Sequence, residues 1–175
     1  MKYFIILLYL AISAVADTYN TDIIRIHTKV FPKILLLDTE IDQKLVDGAI
    51  KVIILYTEED IKIANTLKEE MLHLYPLLKD YPFQVVIREY KHFDETEAVT
   101  AYYQLLGNKE SVMSVNESAN KNSLITFSYD KSYLDYGTLM SLNISNSVSP
   151  YLNLASLKQS NIILNNIIYK IAKIK

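Results

Sequence analysis

Two apolar, β-rich runs separated by a helical stretch constrain the fold of this chain more than any other feature. Residues 49–56 and 83–90 have the length of strands, and their largely apolar composition is typical of strands buried on both faces. Between them, residues 57–75 carry apolar side chains at helical spacing, and Thr57 and Asp60 are spaced as in a capping box. Two strands joined by one helix form a parallel pair with a right-handed crossover. The sequence therefore predicts an α/β fold.

A further helix is predicted at each end of this domain. Residues 22–37 have helical apolar spacing, Asp22 could cap the helix, and Pro32 is expected to kink or end it near Phe31. From Asn153, a good helix cap, helical apolar spacing continues to the end of the chain. We therefore expect a long C-terminal helix that covers the sheet.

Shorter segments complete the predicted domain. Strands are predicted over residues 99–106, 124–128, 138–144 and 148–152, and helical segments over 109–119 and 130–136. Gly137 would end the second helical segment in the left-handed conformation, and the last two strands would form a hairpin. Pro150 indicates an edge position for the second strand of that hairpin. The expected architecture is one three-layer, Rossmann-like domain over residues 22–175, a mixed sheet with helices on both faces.

The first residues have the pattern of a secretory signal. Lys2 precedes an apolar stretch over residues 3–12, and an Ala-Val-Ala cleavage pattern stands directly before Asp17. The apolar stretch is shorter than the roughly 20 residues that a membrane-spanning helix needs. We predict a cleavable signal peptide over residues 1–16, a short leader over 17–21, and a mature chain that has no membrane span and lies in the periplasm.

Composition excludes several functional classes. The chain has no cysteine, which excludes thiol catalysis, thiolate metal sites and redox control through disulfides. The formal net charge is −2, and only two of the eighteen basic residues are arginines, Arg25 and Arg88. The lysines are scattered along the chain, which argues against a nucleic-acid partner and against a polybasic lipid-binding patch.

No motif predicts a catalytic site. His27 and His73 lie on predicted helices and are expected at the surface or at its boundary. His92 could form a cation site with Asp94, Glu95 and Glu97. Their spacing is not that of a metal site, and a solvated acidic loop explains the same residues. No nucleophile elbow is present. The sequence therefore predicts a non-enzymatic protein without cofactor or metal, and an exported hydrolase with an unrecognised site is the remaining enzymatic alternative.

Tyrosine is the most unusual component, with fourteen residues and no tryptophan. Tyr129, Tyr133, Tyr136 and Tyr151 flank the short C-terminal strands, together with Pro150. Tyrosine supplies a large amphipathic contact area, so these five residues are a candidate partner-binding surface. The alternative is a tyrosine-rich margin of the core, where one end of each side chain is buried and the other is wet.

A second candidate site follows the first strand. Residues 56–60 stand at its carboxyl end, which is where open α/β sheets bind ligands. The segment has no glycine and therefore offers no backbone cradle for phosphate. Structural capping by Thr57 is therefore the better explanation of the segment, and a small-molecule pocket there is the basis of a solute-binding alternative.

The C-terminal motifs resemble those of a known family. Gly137 leads a strand that is followed by a turn and a second strand, the pair Leu152-Asn153 ends that strand, and Ile171-Ala172 lies near the terminus. With the order of the preceding elements, this resembles the YfiR family of periplasmic regulators. The first helix of the family ends in Trp-Pro, whereas this chain has Phe31-Pro32. The disulfides of the family cannot form here, because the chain has no cysteine.

The resemblance implies a non-enzymatic, Rossmann-like domain that binds the periplasmic domain of an inner-membrane diguanylate cyclase. By holding that sensor inactive, such a regulator lowers cyclic-di-GMP and biofilm formation, and we expect it to act as a homodimer. This regulator is the leading hypothesis from the sequence. A periplasmic small-solute-binding protein is the alternative.

Overall fold

An eight-stranded mixed sheet forms the centre of the protein. This computed structural model describes residues 19–175, so the predicted signal peptide over residues 1–16 lies outside the described part. The strands are β1 (Ile50–Tyr56), β2 (Leu77–Leu78), β3 (Tyr81–Glu89), β4 (Ala101–Gln104), β5 (Ile125–Ser128), β6 (Met140–Ile144), β7 (Val148–Leu152) and β8 (Lys173–Ile174). Their order in the sheet is β2-β3-β1-β4-β5-β6-β7-β8.

Five neighbouring strands of this sheet are parallel: β3, β1, β4, β5 and β6. The short β2 is antiparallel to β3, β7 is antiparallel to β6, and β8 runs parallel to β7. The chain leaves β1 towards β3 on one side and then returns to β4 on the other side. The strand order therefore reverses at β1, and the carboxyl ends of β1 and β4 flank the crevice where doubly wound sheets usually bind ligands.

Helices cover both faces of the sheet. They are α1 (Thr21–Leu35), α2 (Ile61–Leu74), α3 (Lys109–Lys121), α4 (Leu154–Ser160) and α5 (Ile168–Ile171). Alternate residues of β1 point to opposite faces, so that Val52 and Ile54 join the core under α1 and α2 while Ile53 and Leu55 join the core under α3. The predicted three-layer α/β architecture with a mixed sheet is confirmed.

The first helix differs from the prediction at both ends. Its cap is Asn20, whose side-chain oxygen accepts hydrogen bonds from the N–H groups of Asp22 at 2.9 Å and Ile23 at 3.2 Å. The helix also continues through Pro32 to Leu35, so the expectation that it would kink or end near Phe31 was wrong. Phe31 and Leu35 are both fully buried, and this packing holds the last turn in place despite the missing proline donor.

The long C-terminal helix that we expected does not form. The helix capped by Asn153 is only the seven-residue α4, and Asn161 ends it with a left-handed φ of 53°. From there the chain crosses to the end of α1, where the Asn165 N–H donates to the Leu37 carbonyl at 2.8 Å, and then returns to the sheet as β8. Asparagine competes poorly for helix interiors and tolerates the left-handed region, which explains the break.

The hairpin of β6 and β7 forms as predicted, after a short 3₁₀ segment that ends at Gly137 with a φ of 92°. β8 pairs with β7 only at Tyr151 and Leu152. β7 lies between β6 and β8 in the sheet, so the predicted edge position of this strand was wrong. Pro150 is tolerated because β8 pairs only with the two residues that follow it.

Among the helices of residues 19–175, none is both long enough and apolar enough to cross a bilayer.

Candidate binding site

Tyrosine side chains fill the crevice where the strand order reverses. The Tyr90 hydroxyl donates to the Leu105 carbonyl at 2.8 Å. The Tyr133 hydroxyl accepts from the Gly107 N–H at 2.7 Å and donates to the Gly107 carbonyl at 2.9 Å. A Cβ atom at Gly107 would lie 2.5 Å from the Tyr90 ring, so only glycine allows this approach. The protein's own side chains therefore occupy the place that a ligand takes in related architectures.

Tyr19, the first described residue, completes this closure. Its hydroxyl donates to the Asp60 carboxylate at 2.7 Å and accepts from the Leu106 N–H at 2.9 Å, and burial raises its pKa well above the ordinary value. The Thr57 hydroxyl donates to the same Asp60 oxygen at 3.0 Å. Thr57 makes no side-chain hydrogen bond to a helix N–H, so the predicted capping box was wrong. Instead, Thr57 and Asp60 hold Tyr19 against the sheet.

A shallow cleft of about 240 Å³ lies beside Thr57, where the sequence placed a small-molecule pocket. Acidic side chains dominate its lining, and Lys91 pairs with Glu89 at 2.6 Å and with Glu58 at 3.6 Å. The charged groups of this cleft therefore pair with one another at the surface. Glu58, Glu59 and Glu89 outnumber the single Lys91, so the cleft has a net negative charge and does not suit an anionic ligand.

Another open cavity, of about 250 Å³, lies at the carboxyl ends of β5 and β6. It combines apolar side chains from α1 and β6 with polar and charged groups, and its lining consists of Ile23, His27, Tyr129, Asp130, Lys131, Leu142, Asn143 and Ile144. Such a mixture of apolar walls and a few convergent polar groups is typical of small-molecule sites.

His27 is the most unusual group in this cavity. Only 1% of it is exposed, and its Nδ1 lies 2.7 Å from the Tyr103 hydroxyl. Its ring packs edge-on against Phe127 and is tilted against Tyr129. Burial lowers the pKa of His27 to about 3, so the imidazole is uncharged at neutral pH. The expectation that His27 would lie at the surface or its boundary was wrong.

A second cavity of about 380 Å³ adjoins the first across Asp130 and Lys131, and Tyr151 and the end of β8 line its far side. The Asp130 carboxylate accepts from the Ser132 N–H at 2.8 Å and thereby caps the 3₁₀ segment. Lys131 is exposed between the two cavities, so its ammonium can serve a ligand in either of them.

The five predicted partner-binding residues do not form one common surface in the structure. Tyr129 and Tyr151 are half-buried and line the two adjoining cavities. Tyr133 and Pro150 are buried, so neither offers a surface to a partner. Tyr136 is half-buried against Tyr133, with ring centroids 5.9 Å apart. A partner-binding role for Tyr129, Tyr136 and Tyr151 stays a prediction.

The acidic loop near His92 is occupied by internal contacts. Glu97 pairs with Lys51 and with Arg88, each at 3.0 Å, and Asp94 accepts two hydrogen bonds from Thr96. Within residues 19–175, no group of three or more histidine, aspartate or glutamate side chains is arranged to hold a metal ion. Contacts within the protein therefore explain the acidic residues of this loop.

Comparisons with known proteins show the fold and nothing finer. No known protein family matches the sequence, and no curated protein matches it either. A conserved domain protein from Vibrio cholerae O1 biovar eltor is similar in structure, with a TM-score of 0.53 and 12% identity over 80% of this chain and 59% of the other.

An ABC domain in complex with L-Trp from Streptococcus pneumonia has a TM-score of 0.52 and 10% identity, over 82% of this chain and 60% of the other. This chain thus spans about three fifths of the length of the two structures. Together they establish a Rossmann-like α/β fold.

Proposed function

We propose that this chain is a non-enzymatic binding protein that acts outside the cytoplasm and takes up a small organic solute at the carboxyl ends of β5 and β6. The observation that carries the proposal is the buried, uncharged His27 in the wall of the first cavity. Its bond to Tyr103 uses Nδ1, and Nε2 forms no hydrogen bond with the residues from 19 to 175, so that Nε2 is the atom proposed to bind the ligand.

The chemistry of the cavity indicates the class of solute. Ile23, Leu142 and Ile144 provide an apolar wall, and the half-buried Tyr129 ring adds aromatic area. Lys131 supplies a cation for a carboxylate. We therefore propose a solute with an apolar body and a carboxylate, such as an apolar amino acid. The similar ABC domain that was solved in complex with L-Trp supports this class.

Replacing Lys131 by glutamine should weaken binding of such a solute at least about tenfold, because a hydrogen bond to a charged group contributes about 1.5–3 kcal/mol. Calorimetric titration of the chain from Asp17 onward with L-tryptophan, L-phenylalanine and L-leucine would measure this loss. Lys121→Gln, at the exposed end of α3, is the matched control and should bind as the unchanged protein does.

The amines tryptamine and phenethylamine test the role of the carboxylate in the same titration. They lack that group and should bind more weakly than the amino acids. Amines that bind as tightly as the amino acids, or an unchanged affinity in Lys131→Gln, would contradict the assignment of the site.

The second candidate function is the regulator implied by the YfiR resemblance. The observation that favours it is the C-terminal hairpin: Gly137 leads into β6 in a left-handed conformation, and Asn153 directly follows β7 as the cap of α4. These are the positions at which the resemblance was strongest. The terminal helix that the family pattern also requires is replaced here by the crossing segment after Asn161.

A crosslinked pull-down of the mature protein from the periplasm separates the two candidates. Recovery of an inner-membrane sensor with a diguanylate cyclase domain is the result expected of a regulator, and Tyr129→Ala and Tyr151→Ala should reduce it. Failure to recover any such sensor would count against the regulator and leave the solute-binding protein.

A further inference from the structure

The last fifteen residues, 161–175, which we name the C-terminal arm, carry an unusual concentration of exposed apolar side chains. The arm contributes five of the eleven exposed large hydrophobic residues in the described part of the chain. Their exposed fractions are 55% for Ile163, 49% for Ile167, 47% for Tyr169, 47% for Ile171 and 48% for Ile174. Such a concentration of exposed apolar side chains in one segment indicates a surface that another molecule covers.

The C-terminal arm is fixed to the domain at both ends. The Thr39 N–H donates to the Ile163 carbonyl at 2.9 Å, and the Lys175 N–H donates to the Leu152 carbonyl at 2.9 Å. Between these points, Ile168 is fully buried in the core. The exposed isoleucines therefore belong to an ordered surface of the fold.

The charge of the C-terminal arm is opposite to that of the rest of the protein. The arm contains Lys170, Lys173 and Lys175, and Lys175 pairs with Asp135, which is the last acidic residue of the chain. The whole chain nevertheless has a net charge of −2, so its excess of acidic groups lies entirely before the arm. The arm is the part of the molecule that suits an anionic partner.

We propose that the C-terminal arm docks on an anionic phospholipid surface. Lysine is depleted in protein–protein interfaces, whereas surfaces that lie on a bilayer combine buried aliphatic side chains with lysines that reach the headgroups. Tyr169 fits such a surface, because tyrosine is enriched at the level of the lipid headgroups of a membrane. These three lysines, of which Lys175 is paired with Asp135, are fewer than a polybasic patch needs. The isoleucines therefore supply the remaining attraction by entering the acyl boundary.

Cosedimentation with lipid vesicles tests this proposal. The chain from Asp17 onward contains every residue of the described fold and lacks the apolar stretch over residues 3–12, which would bind lipid by itself. It should sediment with vesicles of equal parts phosphatidylcholine and phosphatidylglycerol and stay in solution with pure phosphatidylcholine. The double variant Ile167→Ser/Ile171→Ser should lose this binding and keep its melting temperature, because both side chains are half exposed.

Two control sets make the result specific to the C-terminal arm. Ile61→Ser/Leu77→Ser removes apolar side chains of similar exposure elsewhere, 44% and 56%, and should sediment as the unchanged protein does. Lys170→Gln/Lys173→Gln should bind about fivefold more weakly for each lysine removed. Lys62→Gln/Lys121→Gln, with the same change of charge on α2 and α3, should have a much smaller effect.

Three results would overturn the proposal. They are equal sedimentation with both kinds of vesicle, unchanged sedimentation of the arm variants, and absence of binding to the anionic vesicles. If the protein is a dimer that Ile167→Ser/Ile171→Ser converts to monomers, and no vesicle binding occurs, the arm is an interface between two copies instead.

Discussion

Lowering the pH from about 7 to about 4.5 should destabilise the protein by about 3 kcal/mol through His27 alone. The folded-state pKa of His27 is lowered to about 3 by burial, whereas a histidine in the unfolded chain titrates near 6.5. Between these values the unfolded chain binds a proton that the folded protein does not, so stability falls as the pH falls. The contribution is complete above pH 6.5 and is lost progressively towards pH 3. Urea denaturation at a series of pH values would measure this slope.

Two variants separate His27 from the other titrating groups. His27→Phe/Tyr103→Phe removes the histidine and its buried hydroxyl partner together, which avoids leaving one of them without a hydrogen bond. The double variant should show a flatter pH dependence over this range. His73→Gln removes an exposed histidine of α2 and should keep the original slope. If stability depends on pH equally in the double variant and in the unchanged protein, His27 is not the source of that dependence.

Replacing Asn153 by alanine should cost about 3 kcal/mol of unfolding free energy. Its side-chain oxygen accepts from the N–H groups of Ala155 at 3.1 Å and Ser156 at 3.2 Å, and loss of such a cap costs about 1 kcal/mol. Its amide nitrogen also donates to the Leu134 carbonyl at 2.8 Å. It donates to the Thr138 carbonyl as well, at 3.3 Å, and without it the Leu134 carbonyl keeps only the long bond from the Gly137 N–H at 3.4 Å. Losing these buried hydrogen bonds costs about 1–3 kcal/mol.

Asn20→Ala is the matched control for Asn153→Ala in chemical denaturation. The side-chain oxygen of Asn20 likewise accepts from two N–H groups at the start of α1, but Asn20 is exposed and its amide nitrogen donates to no buried carbonyl among residues 19–175. Its replacement should cost about 1 kcal/mol. Equal losses in the two variants would mean that the bond from Asn153 to Leu134 contributes nothing to stability.

The sequence predicted well those elements whose residue pattern follows directly from how the element itself is buried. Residues 49–56 have the apolar pattern of a buried strand because β1 is packed on both faces. With α2 and β3, this strand forms the predicted parallel unit. The prediction of a long terminal helix was wrong, because the apolar residues that suggested it anchor the crossing segment after Asn161 to the core instead. Ile162, Leu164 and Ile168 of that segment are buried, while Asn161 takes a left-handed turn that ends α4.

The candidate site was harder to predict, because its residues come from separate parts of the chain. His27 lies four residues from both Ile23 and Phe31 on the apolar side of α1, and this spacing could have placed it in the core. Lys131 and Asn143 show no such signal, since an exposed lysine and a strand-end asparagine are common. Only the parallel alignment of β5 and β6 brings them to one cavity.

Tyr19 links the start of the folded chain to a residue 87 positions later, through the bond from the Leu106 N–H to its hydroxyl. For a chain exported as its sequence predicts, Tyr19 crosses the membrane among the first residues of the mature protein. It cannot make this bond until the loop after β4 has also crossed. If the chain is exported in this way, closure of the sheet's central crevice waits until the segment through Leu106 has crossed, and Tyr19 stays without this partner until then.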